Sequence, residues 1–371
     1  MTGRHRSSAR WPALLALAVC LGVAGVLLTL PPPQPRAAAG GPLTLARVWP
    51  KARPATIAGQ LDDGSAYTPM HFLDGATSVG TAPTADRRAV RLVLRSGDGR
   101  VRELRKLAEE VNPQFGGFAV AGDELVWAES TSPPDGPGGT RLWQVNWRTA
   151  ASPGTLTADL GDAVFFNSQY DLVPADGKVY WVAAARTKTP VTELRSVPLA
   201  GGPVTVRTIP GAFALTAWPW LVSAGTGQTG PVELRNLSDG RKVTVPANPT
   251  ELVGCTPVWC RVLVLSSGGG PGRIELMRPD GTQRRKVASG LVSASISDVA
   301  VQDRFEVLTL VGRDGSVTSS QQLMLYDAVK QRTVVVATGV GVVLCRAAIL
   351  WWSTGDNEAL VWHSLDLRKL R

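Results

Sequence analysis

The sequence predicts an all-β fold, a β-propeller, and three observations carry that prediction. One hairpin pattern recurs along the chain. A second, more apolar hairpin precedes most of its copies. The body past the amino-terminal segment has no long run of helical period. The pattern is clearest at Val232–Val245 (VELRNLSDGRKVTV), where alternation runs to Leu237, turns at Asp239-Gly240 and resumes through Val243 and Val245. Asp-Gly between two alternating runs signals a hairpin because Gly accepts positive φ without a Cβ clash. Copies lie at Val90–Leu104, Arg273–Val287 and Thr192–Ile209, with looser ones at Thr140–Leu160, Gln321–Val336 and Glu358–Arg371.

Composition bounds the rest. The 371 residues are 44% hydrophobic and 19% charged, with 39 Gly and 27 Pro, so a sizeable core is available and charge is too low for wholesale disorder. The formal net charge of +9 is unevenly placed. Setting aside Arg4, Arg6, Arg10 and Arg36 leaves 35 basic against 30 acidic residues over the whole body. That is a mildly basic surface rather than a nucleic-acid footprint, and no nucleic-acid partner is expected.

Residues 1–10 read as a basic flank and 11–30 as an apolar helix. Trp11–Leu30 carries no charge and follows Arg4, Arg6 and Arg10. As a helix it spans about 30 Å, the hydrocarbon thickness of a bilayer. The basic flank should stay in the cytoplasm, which puts everything after Leu30 outside. The length of the run favours a single-pass membrane anchor. A signal peptide is the alternative, cleaved after Ala39 in Ala37-Ala38-Ala39, and the body is then secreted. Cys20 sits mid-run behind Val19, which argues against a lipid-accepting cysteine. Residues 31–42 (PPPQPRAAAGGP) form a stalk whose prolines favour extended polyproline II.

Residues 43–371 are the propeller. The apolar hairpins are Phe118–Ala128, Tyr170–Ala183, Phe213–Ala224, Glu251–Val264, Asp298–Leu310 and Gly341–Trp352, with Met70–Val79 a poorer match. An apolar hairpin followed by a half-polar one makes a four-stranded sheet. Outer turns near residues 98, 151, 201, 239, 280, 328 and 365 recur at the roughly 40–50 residues of one blade. Seven blades are favoured; six follow if Met70–Leu104 is a lone edge structure. The chain stops soon after the last turn, so a strand from between Leu43 and Leu61 is expected to complete the last blade. Trp127, Trp181, Trp259 and Trp351 or Trp352 recur in the second strands, where large rings fill the wedge between blades.

Pro174–Val182 (PADGKVYWV) resembles the strand-turn signature of TolB-like propellers, and Arg278–Gly281 (RPDG) echoes it in an outer hairpin. The resemblance rests on short turns. It implies the propeller architecture and carries over no functional residue.

Cys255 and Cys260 flank the turn Thr256–Trp259 at cross-strand positions, where a structural disulfide is expected in an extracytoplasmic compartment. Closing so short a loop stabilises by about 2 kcal/mol on the entropic account. The CxxxxC spacing is not a metal spacing. Cys345 lacks a local partner and is expected as a buried free thiol.

For chemistry, His71 and His363 come from the first and last blades, neighbours in a closed ring. With Asp62, Asp63 or Asp74 they are candidates for a cluster at the channel mouth. The plainer reading satisfies His71 in a turn and points His363 outward from a strand. Asp62-Asp63-Gly64 and Asp356-Asn357-Glu358 read as turns without EF-hand spacing. No G-x-S-x-G, H-E-x-x-H or P-loop occurs, and no cofactor or metal is expected. Pro133–Gly139 and Ser266–Gly272 are loops that could carry a contact surface. The expectation is therefore a non-catalytic binding or scaffold module on the outer face of the cell envelope, with a protein or envelope-glycan partner. The alternative is a secreted hydrolase or lyase with its site at the channel mouth. A glycan-binding surface would need exposed Trp on one face, with Trp147, Trp218 and Trp220 the candidates.

Overall fold

Asp239-Gly240 turns the chain as the alternation predicts. Val232–Asn236 pairs antiparallel with Lys242–Val245, Gly240 stands at φ +72, and its N–H donates to the Asn236 carbonyl at 3.1 Å. The same move, repeated, builds the molecule. The computed structural model describes residues 42–223, 230–266, 272–311, 321–356 and 359–371. Leu43–Arg371 forms one compact unit. The basic flank, the apolar run and residues 31–41 of the stalk lie outside the described residues. Among those described, no helix is long and apolar enough to cross a membrane.

Among the described residues, six antiparallel sheets follow in chain order. The first has strands Thr68–Phe72, Ser78–Pro83, Ala89–Arg95 and Val101–Ala108. The second has Gln114–Ala121, Glu124–Thr131, Gly139–Asn146 and Gly154–Thr157. In the third, Lys178–Ala184, Val191–Pro198 and Thr205–Pro210 are joined by an inner strand in two pieces, Asp162–Ala163 and Val173–Ala175. The fourth has Phe213–Leu215, Trp220–Ser223, Val232–Asn236 and Lys242–Val245, and the fifth Glu251–Cys255, Cys260–Val264, Arg273–Met277 and Arg285–Ser289.

The sixth sheet is seven-stranded. Val292–Ala294, Phe305–Val311 and Gln321–Asp327 lead into the long strand Arg332–Arg346, followed by Ile349–Thr354, Val361–Asp366 and, from the amino-terminal side, Ala55–Ala58. Residues 332–340 of the long strand pair with Gln321–Asp327, and 340–346 pair with Ile349–Thr354. One strand therefore serves two four-stranded groups, as outermost in the first and innermost in the second.

The core divides along the same lines. Val79, Leu92 and Leu94 of the first sheet meet Phe118, Leu125 and Trp127 of the second. Second meets third at Ala128, Leu142 and Trp181, third meets fourth at Val182, Ile209 and Leu221, and fourth meets fifth at Leu234, Val245 and Val262. Fifth and sixth share Leu276, Leu308 and Tyr326, and the halves of the sixth share Val307, Leu325 and Trp352. The circuit ends where it began: Ile349, Trp351, Trp362 and Ile57 pack against Phe72, Ala82 and Val93 of the first sheet. A sheet with two apolar faces can bury both only between neighbours, and a closed circuit gives every sheet two. Trp127, Trp181 and Trp351 are fully buried in these wedges.

Two expected hairpins are corrected. Asp298–Leu310 is not a hairpin: its inner strand is Val292–Ala294, and residues 295–304 are a connection. Ala300, Gln302 and Asp303 take left-handed φ of +45, +59 and +53, which a strand does not tolerate, while Val299, Ala300 and Val301 are buried as loop core. Glu358–Arg371 does not turn near 365 either. Val361–Asp366 is one strand, after which the Asp366 side chain accepts from the Arg368 N–H and starts a single 3₁₀ turn. The outer partner of that strand is Ala55–Ala58, in register Ala55↔Ser364 through Ala58↔Val361. It comes from within the span of residues 43–61, as expected from the sequence.

Candidate functional site

In a propeller the first strand of each sheet lines the central channel. In the third sheet that strand is broken, and after Val164, whose N–H still donates to the Val182 carbonyl at 3.1 Å, residues 165–172 leave the sheet and cross to the sixth. The crossing is held at both ends. Phe166 N–H and Ser168 N–H donate to the Asp171 carboxylate at 2.8 and 3.1 Å, which shapes the loop internally. On the far side, Ser168 Oγ donates to Asp298 Oδ1 at 2.5 Å and Gln169 N–H to Asp298 Oδ2 at 3.1 Å. Arg346 Nη2 donates to Asn167 Oδ1, Ala347 N–H to Gln169 Oε1 at 3.2 Å, and Ser297 Oγ to the Asn167 carbonyl at 3.2 Å.

Asp298 is itself held from behind. Arg261 Nη2 donates to the Asp298 carbonyl at 2.5 Å and Nη1 to the carbonyls of Ile296 and Ser297 at 3.0 and 3.2 Å. Its Nε pairs with Glu306, which is wholly buried, and Glu306 also accepts from the Ala300 N–H at 2.9 Å. The connection 295–304 is thus clasped by an arginine from the fifth sheet, and it presents Asp298 to the crossing loop.

The electrostatics follow from burial. Burial pushes the carboxyls of Asp171 and Asp298 up, opposed by their hydrogen bonds and by Arg346. It pushes the Arg346 guanidinium down, opposed by the same two carboxyls. Burial raises the thiol of Cys345 well beyond its ordinary value, so this free cysteine is an inert core residue.

Beside the loop lie two openings. One, of about 140 Å³, is lined by Ser168, Tyr170, Leu215, Thr216, Thr256 and Val299, with Asp298 its one carboxyl. The other, of about 400 Å³, is lined by Val164, Val182, Ala183, Val191, Pro190 and Phe213, with Lys188 its one charge. Phe166 borders both and is 46% exposed. Hydroxyls and aliphatic groups dominate the first opening, and apolar groups the second. Such surfaces suit recognition of apolar groups more than proton transfer.

The sequence candidates are dispersed. His71, on the first strand of the first sheet, is buried with both ring nitrogens lacking a protein partner and stacks on Phe118 at 6.0 Å. Burial, and behind it the charge of Arg346, holds it down at about 3, so it is neutral at physiological pH. His363 is half-buried in Val361–Asp366, bonded to Thr354 Oγ1 at 2.8 Å and stacked on Trp352 at 5.4 Å. Asp63 accepts from the Ser65 N–H and pairs with Arg91 at 2.8 Å, and these contacts, Ser65 first, hold it at about 2. Asp62 is exposed in the same turn, and Asp74 accepts from the N–H groups of Ala76 and Thr77 in another. No hydrogen bond or ring contact joins His71 to His363 or to these carboxylates. Among the described residues, no three His, Cys, Asp or Glu side chains gather as metal ligands. Cys255 and Cys260 form a disulfide, and Cys255 faces the smaller opening.

Trp147, Trp218 and Trp220 are each half-buried, under Arg148, Tyr180 and Arg241 respectively. The residues that build the site were not singled out from sequence. Their signal was present: Arg261, Glu306 and Arg346 interrupt or border apolar strands, and a charge there must find a partner.

No protein-family model and no curated protein matches the chain. Solved structures do. An oligogalacturonate lyase in complex with manganese is similar with TM-score 0.50 and 11% identity, over 85% of this chain and 96% of that one. The β-propeller domain of the Trilobed protease from Pyrococcus furiosus matches with TM-score 0.46 and 10% identity, over 68% and 82%. TolB from Acinetobacter baumannii matches with TM-score 0.35 and 16% identity, over 64% and 55%. At such identities the likeness concerns the fold alone, that of a β-propeller.

Proposed function

We propose that the protein is a seven-bladed, non-catalytic binding or scaffold propeller working outside the cytoplasm at the cell envelope. The blade count rests on the sixth sheet, whose long strand Arg332–Arg346 serves two four-stranded groups. The compartment rests on the apolar run Trp11–Leu30 behind its arginines, retained as an anchor or cleaved after Ala39. The disulfide suits that compartment.

One observation carries the binding reading. The loop after Ala163 is stapled to Asp298, and the two openings beside it present Ser, Thr and aliphatic groups around Phe166 rather than an acid–base pair. An apolar side chain or short apolar segment of a partner protein fits those linings. A glycan fits less well, because the three candidate indoles are covered on one face by their neighbours.

A second reading, a hydrolase or lyase, is favoured by one observation: His71 and Arg346 Nη1 are buried near the channel without protein partners. It ranks second because burial makes His71 a weak base and no carboxylate is bonded to it.

A photo-crosslinking side chain at Phe166, in the full chain in its native envelope, tests the reading. A discrete adduct is expected, lost on filling the larger opening with Ala183→Trp. The same probe at Val329, which is 64% exposed and remote in sequence from both openings, should give no such adduct. Equal labelling from both positions would remove these openings as the contact surface.

A further inference from the structure

The outer turns of the first two sheets face each other across a cleft of about 330 Å³. Its wall carries three arginines, Arg100, Arg102 and Arg148, together with Trp147, Ser96 and Thr149, and no Asp or Glu. Arg100 uses Nε on Asp98 at 2.7 Å and Arg148 uses Nε on Asp123 at 2.6 Å. Each guanidinium therefore keeps its terminal Nη groups uncommitted. Arg148 lies 4.1 Å over the Trp147 ring, which fixes its plane, and Trp147 is tied down by its own N–H to the Gly122 carbonyl at 3.3 Å.

Arg102 is the unusual member. It is half-buried, no carboxylate pairs with it, and burial alone pushes its guanidinium down. Its Nη2 reaches the carbonyls of Asn146 and Trp147 only at 3.4 Å, and its Nε is buried with no protein partner. A partly desolvated cation without a counter-charge is costly, and an oxyanion would supply both the charge and the hydrogen bonds. Guanidinium forks match the planar carboxylate and the tetrahedral phosphate alike, and the hydroxyls of Ser96 and Thr149 add donors that either would use.

We propose that this cleft is an oxyanion site for a phosphate- or carboxylate-bearing ligand, with Arg102 at its inner end and Arg100 and Arg148 closing on the anion. The site is separate from the channel and independent of what the channel mouth binds.

Calorimetric titration of the full chain with inorganic phosphate and with citrate, against chloride at matched ionic strength, tests it. Saturable binding at one site is expected for phosphate or citrate, and the tighter of the two assigns the source. Arg102→Gln should weaken it about tenfold, the loss of one charge-assisted contact worth about 1.4 kcal/mol. Arg148→Gln should weaken it several-fold; its side chain is 60% exposed, so the fold survives the change. Arg141→Gln, an exposed arginine elsewhere on the second sheet, should leave binding unchanged. Heats that chloride reproduces, or wild-type affinity in both cleft variants, would overturn the assignment.

Discussion

A chain that begins at Gly59 is expected to lose its cooperative unfolding transition, whereas one that begins at Leu43 keeps it. Residues 43–58 add no sheet of their own, yet three features make them indispensable. Ala55–Ala58 supply the outer strand against Val361–Asp366, and without them that strand is an open edge. Ile57 stands in the cluster that joins the last strands to the first sheet. Leu45 and Trp49 fill the core between the halves of the sixth sheet, with Trp49 edge-on to Phe305 at 5.9 Å and Leu43 accepting from the Val335 N–H at 2.8 Å. Burial of three such side chains is worth on the order of 5 kcal/mol. That is comparable to the whole net stability of many domains. Urea unfolding followed by tryptophan fluorescence reads the difference. A shared midpoint for the two chains would mean the ring does not depend on its amino-terminal strand.

Arg261→Ala should destabilise the protein by about 3–5 kcal/mol, because it strands a buried carboxylate. Glu306 has no exposed surface and keeps only the Ala300 N–H once Arg261 is gone. Three carbonyls, of Ile296, Ser297 and Asp298, lose their donor in the same step. Replacing both partners, as Arg261→Met with Glu306→Leu, should recover part of the loss, since no charge is then left unpaired. The recovery stays partial because the backbone groups remain unsatisfied. A loss below about 1 kcal/mol in the single variant, the scale of an exposed ion pair, would mean that the clasp does not form as described.

Much of the architecture was legible because period-two alternation and Asp-Gly or Gly-Gly turns act locally. Gly99, Gly201 and Gly281 all stand at positive φ in the outer turns where those pairs mark them. The closing strand was legible for a topological reason, a last sheet one strand short. What misled was hydrophobicity without backbone context. Val299, Ala300 and Val301 are as apolar as a strand and as buried, but they pack as part of a loop. The run after Gly355 suggested another turn, whereas the partner of its strand lies some three hundred residues away in sequence, beyond any local signal.

The site was less legible than the fold. His71 and His363 drew notice as rare residues in neighbouring parts of a ring, but neighbouring sheets do not bring particular side chains together. Asp298, Ser168 and Gln169 carry no sequence signal, because single polar residues in a β chain usually mark turns. Their pairing spans about 130 residues and depends on a broken inner strand.

Amide hydrogen exchange over residues 164–172 tests the central claim, that the loop between the two pieces of the broken inner strand is stapled to Asp298. The N–H groups of Phe166, Ser168 and Gln169 each donate to a carboxylate. They should exchange far more slowly than an open loop, and Asp298→Ala should release Gln169 while the amides of Leu125 and Val126 stay protected. Exchange of this segment at the rate of an unstructured peptide in the wild-type protein would contradict the account.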